Sequence, residues 1–168
     1  MTAKPQDRDA AKVGPYIAVC GPADATEEEI EWAEEIGRLI AEAGAILVCG
    51  GLGGVMDAAA HGARRAGGKT VGLLPGDTRA GASKYLSVAI PTGLGEGRNA
   101  LVVRAADAVI AVSGEFGTLS EIAFALKAGK PVIGLHTWHL EKSGKKVSVI
   151  HRARTPADAV ELTLKLLD

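Results

Sequence analysis

The stretch Ala108-Val109-Ile110-Ala111-Val112-Ser113-Gly114-Glu115-Phe116-Gly117-Thr118 decides how this chain folds. Its first five residues are all apolar, and three are β-branched. Such a run has no polar face to turn toward water, so it reads as a strand covered on both sides. The run stops at a serine and a glycine. A helical pattern over residues 118–128 follows and is stopped by Gly129. Strand, glycine-rich loop and helix in succession are the working half of a βαβ unit.

The same order recurs on either side. Residues 16–20 form a short apolar run that ends at Gly21-Pro22, and residues 26–43 then carry an apolar stripe at helical spacing. Thr26 and Glu29 have capping-box spacing at its start. Residues 45–49 read as a second strand, followed by Gly50-Gly51-Leu52-Gly53-Gly54 and a helix over 55–66. Strands are expected at 69–74 and 87–90, a helix at 98–106 after the Gly93–Gly97 loop, and a strand at 131–135. Residues 140–149 have a polar centre and read as a hairpin or an excursion. Thr155-Pro156 opens a last helix to residue 167, with Thr as cap and Pro at the first helical position. Alternating strands and helices predict a three-layer, Rossmann-like α/β fold: a doubly wound, mostly parallel sheet with helices on both faces.

The chain has 168 residues, a length that fits one domain, expected over 14–168, behind a frayed tail at 1–13. Nineteen basic residues against 20 acidic ones give a formal charge of -1, which argues against a general nucleic-acid binder. Aromatics make up only 4%, too few for a single-strand stacking platform. Cys20 and Cys49 each end an apolar run and read as reduced, half-buried thiols. No apolar stretch approaches the ~18 residues of a membrane span, and the polar N-terminus is no signal peptide, so a cytoplasmic location is expected.

Chemistry is expected at the glycine-rich loops, which a doubly wound sheet gathers at the carboxyl ends of its strands. A glycine loop opening onto a helix N-terminus offers free N–H groups and the positive end of the dipole, a ready anion site. The loop at Gly21, the loop holding Gly51, Gly53 and Gly54, and the loop Gly114–Gly117 with the Thr118 hydroxyl are the candidates. The glycine pattern alone reads equally as phosphate loops and as tight structural turns. It matches neither the dinucleotide fingerprint nor the Walker P-loop.

Arg98 follows the Gly93–Gly97 loop. A cation at a helix start opposes the dipole, which is better explained if it reaches for an anionic ligand. Glu121 has two compatible readings: partner of Thr118 in a capping box, or a carboxylate at the mouth of the loop able to act as a general base or hold a ribose hydroxyl. His61, His136, His139 and His151 do not cluster, so no metal is expected. No GxSxG marks a serine nucleophile, and Lys69, Lys84, Lys127 and Lys130 read as surface residues.

Two motifs, Gly50-Gly51-Leu52-Gly53-Gly54-Val55-Met56-Asp57 and Gly114-Glu115-Phe116-Gly117-Thr118-Leu119-Ser120-Glu121, resemble those of the Lonely Guy-like Rossmann superfamily, GGxxGxM and PGGxGTxxE. The resemblance spans residues 16–135 and is nearest to a short-chain subgroup that includes molybdenum cofactor carrier proteins. For the better-known branch it implies a nucleoside 5′-monophosphate phosphoribohydrolase, which releases free base and ribose 5-phosphate. Arg98 and Glu121 match the catalytic arginine and glutamate of that branch, and Met56 falls on its first motif. Two departures stand out. The P-G-G of the hydrolase branch is Ser113-Gly114-Glu115 here, which brings a carboxylate beside the loop. Asn99 stands where that branch typically has lysine.

These readings give three expectations for function. The first is a protein that binds a nucleotide or other phosphate-bearing small molecule through Gly21, Gly51, Gly53, Gly54, Met56, Arg98, Asn99, Gly114, Gly117 and Thr118. The second is a phosphoribohydrolase using Arg98 and Glu121. The third is a carrier of the molybdenum cofactor. No resident cofactor is expected. A pyridoxal-dependent lysine decarboxylase, the historical label of the superfamily, lacks its Schiff-base lysine here. The resemblance implies a homodimer or homotetramer, and the small residues Ala58–Ala60 and Ala123–Ala128 would allow close helix packing.

Overall fold

A computed structural model describes residues 13–168, so the expected N-terminal tail lies almost wholly outside the described residues. Seven strands form one parallel sheet: β1 (Tyr16–Cys20), β2 (Ile46–Cys49), β3 (Thr70–Leu74), β4 (Val88–Pro91), β5 (Ala108–Val112), β6 (Val132–Leu135) and β9 (His151–Ala153). Their order is β4-β3-β2-β1-β5-β6-β9. β7 (Leu140–Lys142) and β8 (Lys145–Val147) pair as a separate antiparallel hairpin between β6 and β9, in the stretch read as a hairpin or excursion.

Among the described residues the five α-helices are α1 (Glu27–Glu42), α2 (Val55–Arg65), α3 (Arg98–Ala105), α4 (Phe116–Lys127) and α5 (Pro156–Leu167). Side chains alternate across each strand, so the two faces of the sheet carry different residues. Ile17, Val19, Leu47, Ile110 and Val112 pack with α1, α2 and α5 on one face. Ala18, Cys20, Val48, Val109 and Ala111 pack with Val102, Val103, Ile122 and Ala125 of α3 and α4 on the other. All five residues of β5 are buried, as the unbroken apolar run requires. The three-layer α/β/α architecture is the one expected.

The helix ends follow the local chemistry. The Thr26 hydroxyl accepts from Glu29 N–H, and the Glu29 carboxylate accepts from Thr26 N–H, completing the capping box. Thr155 accepts from Asp158 N–H ahead of Pro156. α1 and α2 meet backbone to backbone. A Cβ on Gly37 would stand 1.9 Å from the Ala59 carbonyl oxygen, and one on Gly62 1.9 Å from that of Glu34. Ala58, Ala59 and Ala60 are buried within the chain itself, so that small-residue stripe is used up internally and offers no subunit face.

Three local readings need correction. α4 begins at Phe116, two residues before the sequence pattern suggests, so Thr118 lies inside its first turn. The N-cap position belongs to Glu115, whose side chain makes no capping bond, and the Thr118–Glu121 capping box does not form. Lys130 is no free surface lysine: its ammonium donates to the carbonyls of Val103 at 2.9 Å and Arg104 at 3.0 Å, and also to that of Ala106, at the end of α3. Among the described residues no helix is long and apolar enough to cross a membrane.

Candidate functional site

From β1 the chain works outward through β2, β3 and β4, then returns to β5 on the other side of β1. The loops after β1 and β5 therefore leave in opposite directions, and a crevice opens between them at the carboxyl edge of the sheet. A cleft of about 650 Å³ lies there. Gly21, Met56, Arg98, Asn99, Gly117, Thr118 and Glu121 all line it, joined by Pro22, Leu52 and Pro75. Asp24, Glu96 and Glu115 also line it, acidic residues that sequence reasoning left out or treated as an obstacle. Another hollow, on the outer surface of α1 and α2, is lined mainly by charged side chains of those helices and lies away from the glycine-rich loops.

The remaining glycines form the frame behind the cleft. Gly54 has φ +62, and a Cβ there would stand 2.3 Å from the Pro22 carbonyl oxygen. Val55 N–H donates to that same oxygen at 3.0 Å, so the loops after β1 and β2 are joined along their backbones. Gly51 packs on Leu74 and Gly72, and Gly114 on the Thr118 side chain. Gly53 is exposed at the loop tip. Open space faces Gly117, with no atom within 4 Å of where its Cβ would be.

Arg98 opens α3 and is only 8% exposed. Its guanidinium lies over Gly50, where a Cβ would stand 1.8 Å from Nη1, so only glycine leaves it this place. The Arg98 Nε is buried and has no hydrogen-bond partner. Leaving such a donor unpaired typically costs about 1–3 kcal/mol or more, a penalty that an anion in the cleft would relieve.

Glu121 is 7% exposed, on the buried face of α4. Burial pushes its carboxyl up to about 7, against the opposing pull of a hydrogen bond from the Cys20 thiol and the charge of Arg98. Burial likewise raises Cys20, with the Glu121 charge adding to it, and holds Cys49 at about 11. Both thiols are therefore neutral, and both are fully buried rather than half-buried. Asn99 donates from Nδ2 to Ser120 Oγ at 3.0 Å, and that hydroxyl donates to the Gly117 carbonyl at 2.6 Å. Asn99 thus ties α3 to the first turn of α4 at the wall of the cleft.

Ser113, at the end of β5, has φ +52, which no proline can adopt. The Thr137 hydroxyl donates to the Ser113 carbonyl. The departure from P-G-G is therefore one of backbone path as well as side chain, fastened from the loop after β6.

The class and the family follow from this fold and from the comparisons. It is a doubly wound α/β protein with a cleft at the switch point, walled by glycine loops and floored by the buried side chains of Arg98 and Glu121. The chain belongs to the SLOG cluster4 family, whose model matches residues 14–160. This agrees with the Lonely Guy-like resemblance and its short-chain subgroup. An uncharacterized protein of Archaeoglobus fulgidus is 44% identical over 119 residues, covering 71% of this chain and 78% of its own length. The molybdenum cofactor binding protein of Rippkaea orientalis is 36% identical with a TM-score of 0.83, over 92% of this chain and 98% of that one. The molybdenum cofactor carrier protein of Chlamydomonas reinhardtii is also 36% identical, with a TM-score of 0.80 over the same shares. DNA processing protein A from Helicobacter pylori, 20% identical with a TM-score of 0.70 over 91% of this chain and 81% of that one, shares the fold alone.

Proposed function

We propose that this protein binds a phosphate-bearing small molecule in the switch-point cleft and acts as its carrier, a reading supported by its likeness to a molybdenum cofactor carrier protein. The unpaired Nε of Arg98, buried against the cleft floor, carries this reading. Its guanidinium would take the phosphate by charge-assisted hydrogen bonds, and the N-terminal turn of α4 would add backbone N–H donors. Glu121 would keep a carboxyl on the same wall.

A second reading is the phosphoribohydrolase. It is favoured by Glu121 lining the same cleft as Arg98, because a carboxyl at about 7 can take or give a proton at neutral pH. In that case Arg98 holds the phosphate and Glu121 deprotonates water or orients a ribose hydroxyl. Against it stand Asn99, already engaged with Ser120, and the Ser113 backbone.

The two readings part in one experiment. Protein purified from a host that makes molybdenum cofactor is oxidised, and the released fluorescent pterin is measured for wild type and for Arg98→Ala. In parallel, wild type and Glu121→Gln are incubated with AMP, and free adenine is followed by chromatography. Pterin in wild type, absent from Arg98→Ala, with no adenine released, is the expected result. Adenine release lost in Glu121→Gln would establish the hydrolase. Neither pterin nor release would overturn both.

A further inference from the structure

The outer face of α4 has the wrong chemistry for water. The helix reads FGTLSEIAFALK, and its charged residues are the buried Glu121 and the exposed Lys127. At helical spacing Phe116, Ser120, Ala123, Phe124 and Lys127 form one stripe, opposite the buried Thr118, Ile122 and Ala125. Phe116 is 75% exposed and Phe124 42%. Alongside, α3 exposes Leu101 and Ala105. The outer face of α1 presents a run of glutamates and Arg38 instead. A helix that is apolar nearly all round belongs inside a protein, so the α3–α4 face lacks a cover.

The two ends of this face carry opposite charge. β4 and β5 are parallel strands of one sheet, so α3 and α4 both start at its carboxyl edge and run side by side away from the cleft. Glu96, just ahead of α3, and Glu115, at the N-cap of α4, stand at the cleft end. Arg104 and Lys127, in the last turns of the two helices, stand at the far end. All four are exposed, and none makes an ion pair among the described residues. Residue 100 lies midway between Glu96 and Arg104, and residue 121 midway between Glu115 and Lys127. The hydrogen bond from Asn99 to Ser120 sets those two midpoints side by side. The face therefore has one centre about which its acidic and basic ends exchange.

We infer that the α3–α4 face joins a second copy of this chain across a two-fold axis that crosses both helices at the Asn99–Ser120 contact. Such an axis lays each helix antiparallel on its counterpart, covers Leu101 and Phe124, and sets the helix dipoles in opposition. The partner's Arg104 reaches Glu96, and the partner's Lys127 reaches Glu115. An axis along the helices would instead set acid on acid and base on base, an arrangement that costs binding energy. Glu96 and Glu115 also line the cleft, where Arg98 is the only cationic side chain among the lining residues. The second copy thus supplies the cations that balance this rim, and the cleft is complete only in the dimer. The interface rests on the face itself and not on what the cleft binds.

Sedimentation equilibrium of the full chain tests it. Wild type is expected at twice the chain mass of 17.2 kDa, and Phe124→Glu at the single mass. Lys127→Glu should weaken association about tenfold, because each substitution counts twice across the axis. Adding Glu115→Lys to Lys127→Glu reverses both signs and should restore wild-type association, which a merely apolar contact would not do. All these positions are exposed, so the variants are expected to fold, which circular dichroism checks. A monomeric wild type overturns the interface, and so does an assembly whose mass Phe124→Glu leaves unchanged. A wild-type assembly larger than a dimer supports it if Phe124→Glu halves the mass. A double variant that associates no more tightly than Lys127→Glu overturns the axis. Every readout is a mass, so the outcome stands apart from whether the cleft takes a phosphate.

Discussion

Replacing Glu121 by glutamine should change how the stability of the protein depends on pH. The carboxyl is held at about 7 in the fold against an ordinary 4.5. A raised carboxyl pKa means that the folded state favours the protonated form. Below the ordinary value the group is protonated in both states and contributes nothing. As pH rises from there to the folded value, the unfolded chain ionises first, and the fold loses stability. Above about 7 the loss is complete. The gap corresponds to about 3 kcal/mol at 1.36 kcal/mol per unit, of which about 2.5 kcal/mol accrues between pH 5 and pH 8. Glutamine does not titrate. Urea denaturation of wild type and Glu121→Gln at those two pH values should therefore show the variant gaining about 2.5 kcal/mol on wild type. For a chain of this size the relative melting temperatures should move by about 5–10 °C. Using the difference between the two proteins cancels the histidines, which titrate in the same window in both. The absolute offset also contains the lost attraction to Arg98, so the change with pH is the quantity to read. A stability difference that stays constant from pH 5 to pH 8 would refute the buried, proton-holding carboxyl.

Two other substitutions test the frame of the site and of the fold. Gly50→Ala places a methyl 1.8 Å from Arg98 Nη1, and the free end of the guanidinium must swing away. Affinity for ribose 5-phosphate, read by calorimetry, should fall about tenfold or more, with a stability loss of about 1–3 kcal/mol from the overfilled site; unchanged affinity would remove Arg98 from the phosphate contact. Lys130→Met withdraws an ammonium from the carbonyls of Val103, Arg104 and Ala106. The expected cost is about 1.5–3 kcal/mol by urea denaturation, since the last turn of α3 loses both its hydrogen bonds and the cation opposite its dipole.

The layers of this fold were legible because β1, β2, β5 and β6 are apolar on both faces, and helices must cover them. β9 was missed: His151-Arg152-Ala153 is a mostly exposed edge strand with no apolar run to announce it. The start of α4 was misplaced because Phe116 and Gly117 carry no helix signal; the turn at Ser113 and Gly114 sets it, and that conformation is not written in residue type. Glu121 shows the limit most sharply. Four residues of local sequence spell a capping box, yet the side chain turns inward because α3 and β1 bring Arg98 and Cys20 to it from far along the chain. Spacing cannot report such a meeting. That Arg98 and Glu121 line one cleft was available only from the motif resemblance.

At Ser113 the left-handed backbone also sets the mutational routes open to this protein. A proline at 113 is incompatible with the present loop, however well it would suit the hydrolase motif. One substitution cannot interconvert the two loop forms, because the peptide must turn over before the ring is tolerated. Glycine, indifferent to the sign of φ, is the passable intermediate.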